Sequence, residues 1–238
     1  MSERADRYAD ERDRMDLAST SRLSADLKFG TLSVRTLWNA VATGTFQTED
    51  ARVKYANELI WRDFYVMIMA NFPQVIGASF KAKYDNIPWR NEETEFQKWC
   101  EGKTGYPVVD AGMRELNTTG YMHNRCRMLV ASFLTKHLLI DWRWGEAYFA
   151  EKLLDFELAA NNGNWQWAAG CGCDAAPYFR VFNPTEQQKK FDPDFKYIKK
   201  WVPEFGTSQY PKPIVEHVFA RNRVLQAYKV ALSREEVF

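Results

Sequence analysis

The sequence predicts an all-α fold built round one core. Apolar residues recur at helical spacing, most clearly at Val53, Ala56, Ile60, Phe64 and Met67, which are three or four positions apart. No stretch sustains the period-two alternation of a half-buried strand. Helix starts and stops punctuate the chain at the matching places, with Ser33 as a cap, a start near Thr48, and Gly or Pro between segments. A chain of 238 residues can bury a large core as a single domain, and no internal repeat is visible.

Taken in order, residues 1–19 are polar and read as an irregular lead-in, leaving 20–238 as the helical domain. A helix runs from Ser33 to about Thr43. The next begins near Thr48, where Glu49 and Asp50 suit the positive end of a helix dipole. Residues 72–91 contain Pro73, Gly77 and Pro88 and form a long connection. Short helices are expected over Glu92–Glu101 and Val108–Asn117. Another is marked by Met122, Cys126, Leu129, Phe133 and His137, and a further one by Gly145 to Asp155. Residues 170–192 and 202–213 read as loops, and an amphipathic helix from Ile214 to about Leu232 closes the chain.

Composition excludes several functions. Hydrophobic content of 46% and charged content of 26% are ordinary for a globule. A net charge of +1 excludes a globally basic nucleic-acid binder, so a DNA site must be a local patch. Cys100, Cys126, Cys171 and Cys173 show neither disulfide-framework nor zinc-pair spacing, which points to a reducing cytosol. With His123, His137 and His217 scattered, no metal site is expected. Residues 1–14 are too charged for a signal peptide, and no apolar run is long enough to span a membrane. Gly102-Lys103-Thr104 is not a P-loop, because the motif needs Gly where Gln97 stands. Nor is there a GxGxxG dinucleotide fingerprint.

The densest stretch runs from Asp155 to Pro184. Asp155 to Trp167 holds Asp155, Glu157, the amides Asn161 and Asn162, and the indoles Trp165 and Trp167; the small residues of Gly170-Cys171-Gly172 follow. On a helix, Trp165 and Trp167 turn about 200° apart and face different neighbours. The plain alternative is a helix start, with Asn as cap and Trp as core.

This stretch resembles the flavin domain of the photolyase and cryptochrome family, nearest to bacterial cyclobutane pyrimidine dimer photolyases. Three more blocks carry the resemblance: Thr20-Ser21-Arg22-Leu23-Ser24; Asn57-Glu58-Leu59-Ile60-Trp61-Arg62-Asp63-Phe64-Tyr65; and the run from Gly102 through Tyr106-Pro107 to Met122-His123-Asn124-Arg125. Together they cover about Tyr8 to Leu232. The resemblance implies light-driven repair of cyclobutane pyrimidine dimers in DNA, by electron transfer from excited reduced FAD to the flipped-out lesion. Photolyases as a class are already known to extrude their target from the duplex. A blue-light photoreceptor of cryptochrome type, binding FAD without repair, is the alternative. Family members carry an α/β antenna domain ahead of this region, so no antenna chromophore is expected in this fragment. The expected protein is a monomer in the cytoplasm, associated with the nucleoid through DNA, and has no membrane partner.

The resemblance also assigns residues. Tyr8, Thr20, Ser21, Arg22, Leu23, Ser24, Arg62, Arg127, Asp155, Glu157 and Asn161 correspond to positions round non-covalent FAD. Of these, Asn161 faces the flavin N5, where plant cryptochromes typically carry Asp and many animal ones Cys; the amide argues for repair. Glu58, Trp61, Asn124, Met128 and Trp167 correspond to the lesion pocket. Arg125 and Arg180 correspond to DNA-phosphate contacts, while Trp89, Trp142 and Trp165 match an electron relay toward the flavin.

The residues alone leave other readings open. Glu58, Trp61 and Arg62 share a helix face, as a pocket wall or as a surface ion pair between Glu58 and Arg62. Asn124 and Met128 suit a site, or an exposed amide and a gap-filling Met. Hydroxyls at 20–24 suit phosphate oxygens or an ordinary cap, each Trp suits the core, and the two arginines suit plain surface charge. Six-four photolyases place paired histidines at the pocket, whereas Met122-His123-Asn124-Arg125 offers one, which implies cyclobutane dimers as the lesion.

Overall fold

The computed structural model describes residues 5–17 and 19–233, and among them all regular structure is helical. The first helices are α1 (Tyr8–Glu11), which lies within the expected irregular lead-in, and α2 (Ser24–Phe29). Part of the expected lead-in, residues 1–4 and Ala18, lies outside the described residues. Helix α3 (Val34–Ala42) starts as its sequence signals, with the Ser33 side chain accepting a hydrogen bond from the Arg35 N–H.

Helix α4 (Glu49–Asn71) is the longest element. Its expected core stripe is a correction: Val53, Ile60 and Met67 are exposed, and the buried face is Ala51, Leu59 and Tyr65. Apolar residues lie on both sides of this helix, so periodicity alone could not fix which side packs inward. Beyond it, residues 72–91 form the expected connection, tightened by one-turn 3₁₀ segments at Pro73–Ile76 and Ala82–Asn86. The connection is held by a distant amide. Buried Gln166 donates to the carbonyls of Val75 and Ala78 at 2.9 and 3.2 Å and accepts from the Phe80 N–H at 2.8 Å.

The main core surrounds α6 (Pro107–Thr119), which follows α5 (Glu93–Cys100). Val109, Ala111, Met113 and Leu116 of α6 are almost wholly buried, and α6 packs on α7 (Asn124–Ser132), which runs on into a π-helical extension, Phe133–Leu138. Helix α7 starts two residues later than the apolar spacing implied, because the His123 ring accepts from the Arg125 N–H at 3.1 Å and caps it. Helix α8 (Trp142–Lys152) likewise starts at its cap, Asp141, rather than at the expected Gly145.

Helix α9 (Leu158–Ala169) is the central element. Its cap is Glu157, whose carboxylate accepts from the N–H groups of Ala159 and Ala160 at 3.1 and 2.8 Å, so the amides that follow are not caps. Two glycines set its depth in the fold. A Cβ on Gly145 of α8 would strike the Trp165 ring, and one on Gly163 would strike the Tyr65 ring. Helix α10 (Pro184–Phe191), capped by Asn183, corrects the expected loop over 170–192; α11 (Lys196–Trp201), whose N–H groups at Tyr197 and Ile198 bond Asp192, follows it. Asn183-Pro184 was a legible start signal. Helix α12 (His217–Ser233) ends the described chain.

A second, smaller core joins Tyr8, Leu37, Val41, Phe46, Ala51 and Leu59, uniting α1, α3 and α4. The space between the two cores is where the site lies.

Candidate functional site

Three adjoining cavities lie between the cores. The central one, about 320 Å³, is floored by Asn161, Trp165 and Phe149 and walled by Arg127 and Asp155. A second, about 280 Å³, extends toward Tyr8, Thr20, Ser21, Leu23 and Tyr55. These two share Ser24, Glu58, Arg127, Asp155, Glu157 and Ala160. The third, about 320 Å³, opens past Trp61, Arg62 and Tyr65; it shares Glu58, Asn124, Met128, Ala160, Asn164 and Trp167 with the centre. Glu58 and Ala160 line all three, so the cavities make one bent channel. Its hydroxyl-rich arm and its aromatic arm meet at the face of α9.

Each arm is shaped by local physics. In the first, the Tyr55 hydroxyl donates to Ser21 Oγ at 2.9 Å and fixes the 20–24 segment. Tyr55 meets Tyr8 edge-on at 5.1 Å, and burial pushes both phenols above their ordinary pKa. In the centre, Arg127 Nη2 donates to Asp155 Oδ2 at 2.8 Å, while Asp155 Oδ1 is buried without a partner. An orphaned acceptor of this kind calls for a donor from a ligand. Asn161 donates its Nδ2–H to the Glu146 carbonyl at 3.0 Å, which leaves its amide oxygen as the free acceptor. In the aromatic arm, Trp61 stacks on Tyr65 at 5.9 Å and meets Phe64 edge-on at 5.3 Å. Trp61 is 41% exposed, an aromatic face held rigid and open.

Most residues singled out in the sequence converge here, in the groups just described. The surface pair between Glu58 and Arg62 is not formed: Glu58 pairs with Arg12 at 2.7 Å, and Arg62 reaches Asp63 at 3.5 Å. Arg22 lies outside the cavities with its guanidinium over the Tyr121 ring at 4.8 Å. Arg125 is not an open surface charge. It pairs with Asp13 at 2.7 Å and stacks over Phe191 at 4.3 Å, with 16% of its side chain exposed. Arg180 is exposed. Of the three relay candidates, only Trp165 lines the cavity. Its ring neighbours are Phe149 at 5.0 Å and Trp99 at 6.1 Å. Trp142 is buried beneath the Arg143 guanidinium, and Trp89 meets Tyr228 edge-on at 6.2 Å.

Sequence reasoning missed Arg12, Tyr55, Tyr121 and Asn164. Tyr55 was findable: it shares a helix face with Glu58 and Arg62, at i, i+3 and i+7. Arg12 sat in a stretch read as irregular and left no such signal.

The chain belongs to a flavin-binding class: it is a member of the family described as the FAD binding domain of DNA photolyase, which it matches over residues 55–208. It is 47% identical to a deoxyribodipyrimidine photo-lyase of Escherichia coli, over 95% of this chain and 53% of that protein. Among solved structures, a bacterial class III photolyase from Agrobacterium tumefaciens superposes with a TM-score of 0.93 at 39% identity, over 97% of this chain and 53% of that one. A cryptochrome from Synechocystis gives 0.87 at 32% identity, over 94% and 52%. The chain thus spans about half the length of the relatives it matches. Among the described residues, no helix is long and apolar enough to cross a membrane, and no group of three or more potential metal ligands occurs.

Proposed function

We propose that this chain holds FAD non-covalently in the bent channel and, as part of a photolyase, repairs cyclobutane pyrimidine dimers in DNA. The observation that carries the reading is the continuity of the channel through Glu58, from the hydroxyls of 20–24 to the aromatic faces of Trp61 and Trp167. One arm suits a diphosphate-bearing cofactor and the other two covalently joined bases of one strand, with direct contact at the bend. The donor set fits FAD: the unpartnered Asp155 Oδ1 suits a ring N–H, and the free Asn161 amide oxygen suits another. Hydroxyls of Thr20, Ser21 and Ser24 suit phosphate oxygens.

FAD held here by Arg127, Asp155, Asn161 and the 20–24 hydroxyls would supply the light-driven one-electron chemistry that ring opening needs. The chain's residues bind and orient. Trp61 and Trp167 stack the flipped lesion, worth roughly 1–3 kcal/mol per base. Glu58 and Asn124 hydrogen-bond its polar edge, and Met128 packs beside it. Asn161, an amide with no acidic proton, leaves the reduced cofactor available. Arg125 and Arg180 meet phosphates, which sets position rather than sequence. Trp89, Trp142 and Trp165 would carry electrons from an external donor toward the channel. The cryptochrome likeness keeps photoreception without repair as the second reading; Asn161 favours repair.

The test is direct. Denaturing the purified chain should release FAD, identified by chromatography and absorption. A folded chain that is colourless and takes up no added FAD contradicts the proposal.

A further inference from the structure

Tyr121 lines the central cavity and occupies a peculiar position. Its backbone is pinned to the α6–α7 connection: the N–H donates to Thr119 Oγ1 at 3.1 Å, and neighbouring Gly120 accepts from the Leu154 N–H at 2.9 Å. Its ring reaches away from that wall. The Arg22 guanidinium lies over it at 4.8 Å and that of Arg127 at 5.6 Å, and its hydroxyl stands 3.5 Å from Thr20 Oγ1. Arg127 is anchored in turn by the Met122 carbonyl and by Asp155, both at 2.8 Å. Arg22 adopts a left-handed backbone, φ 56°, uncommon for a residue with a side chain. The 20–24 segment is held on its far side by Tyr55 and on this side by the ring contact.

We propose that Arg22, Tyr121 and Arg127 form a clasp across the central cavity that sets how fast bound FAD leaves. This rests on the FAD reading above. Asp155, Arg127, Tyr121 and Arg22 run as alternating charge and π-face from one wall of the channel to the other. The 20–24 wall belongs to the smaller core, whereas the Tyr121 wall belongs to the larger one. An elongated ligand lying through both cavities would leave more slowly while these walls are joined. Tyr121 acts here as a positioning residue: its ring, more than its hydroxyl, does the joining, because a cation over a π-face needs no hydroxyl.

The readout is the release rate of FAD, followed by the rise of free-flavin fluorescence after dilution of the loaded chain. Tyr121→Phe keeps the ring and should release at the parent's rate. Tyr121→Leu should release about tenfold faster, the effect expected when two guanidinium–ring contacts are lost. The exposed Arg22→Gln should accelerate release by a few fold, and should add nothing once Tyr121 is Leu. Tyr121→Leu or Arg22→Gln releasing at the parent's rate overturns the clasp while FAD binding stands. A folded parent that never takes up FAD overturns both.

Discussion

Arg127 Nη2 and Asp155 Oδ2 lie 2.8 Å apart at the bend of the channel, and the second Asp155 oxygen is buried with nothing to accept from. The pair holds the α7 wall against the turn before α9 and turns a lone acceptor into the cavity. Asp155→Asn keeps the shape and removes the charge. Breaking a fully buried pair costs roughly 3–5 kcal/mol. With 26% of the Arg127 side chain exposed, about 2 kcal/mol is expected here. Denaturant unfolding of the loaded chain checks this, and FAD affinity should fall with it.

Asp13 neutralises Arg125 at 2.7 Å, so a phosphate approaching Arg125 must compete with that carboxylate. Asp13→Asn should therefore tighten binding to undamaged duplex by a few fold at low salt. It should also steepen the slope of log affinity against log salt by about one counterion. An unchanged slope would remove Arg125 from the DNA face.

Trp89→Phe and Trp142→Phe keep ring bulk and remove the easily oxidised indole. Light-driven reduction of bound FAD by an external donor should drop sharply in both. Repair by protein already reduced with dithionite should persist. Parent-like photoreduction in both variants would show that electrons enter another way.

His137 is wholly buried on the π-helical segment, its Nε2 2.9 Å from His217 Nδ1 and its ring stacked on Phe133 at 4.8 Å. Burial pushes its pKa down to about 3, and the nearby His217 and Arg223 push the same way. Burial also lowers His123 to about 4. A histidine kept neutral when folded contributes stability that is intact above about pH 6.5 and is lost as pH falls toward the folded value. Between those limits the unfolded chain binds the proton and the folded chain does not, at about 1.4 kcal/mol per pH unit for each such group. Melting temperature should fall steadily from pH 6.5 to 4, and His137→Leu should flatten the fall.

Much of this was legible in the sequence. The all-α class, the Ser33 cap and the gathering of Glu58, Trp61, Asn124, Asp155, Asn161, Trp165 and Trp167 at one place all appear in the structure. The phase of α4 was not legible, because apolar residues line two sides of it and only tertiary packing selects Leu59 and Tyr65 over Ile60 and Met67. Helix α10 was overlooked although Asn183-Pro184 announces it, since the preceding glycines suggested a loop that continues. The pairs of Arg12 with Glu58 and Arg125 with Asp13 join segments far apart in sequence. No local pattern encodes such contacts.

Repair itself is the most direct measure. The chain, loaded with FAD and reduced, is given a defined oligonucleotide holding either a cyclobutane dimer or a six-four product and lit with blue light; restored bases are counted by chromatography. The single histidine of the Met122-His123-Asn124-Arg125 run is buried and caps α7, so no pair of histidines lines the pocket among the described residues. Restoration of the cyclobutane dimer alone is the predicted result, with Glu58→Ala lowering yield per photon more than affinity and Trp167→Ala mainly weakening binding. Restoration of the six-four product, or of neither lesion with reduced FAD bound, would contradict the account.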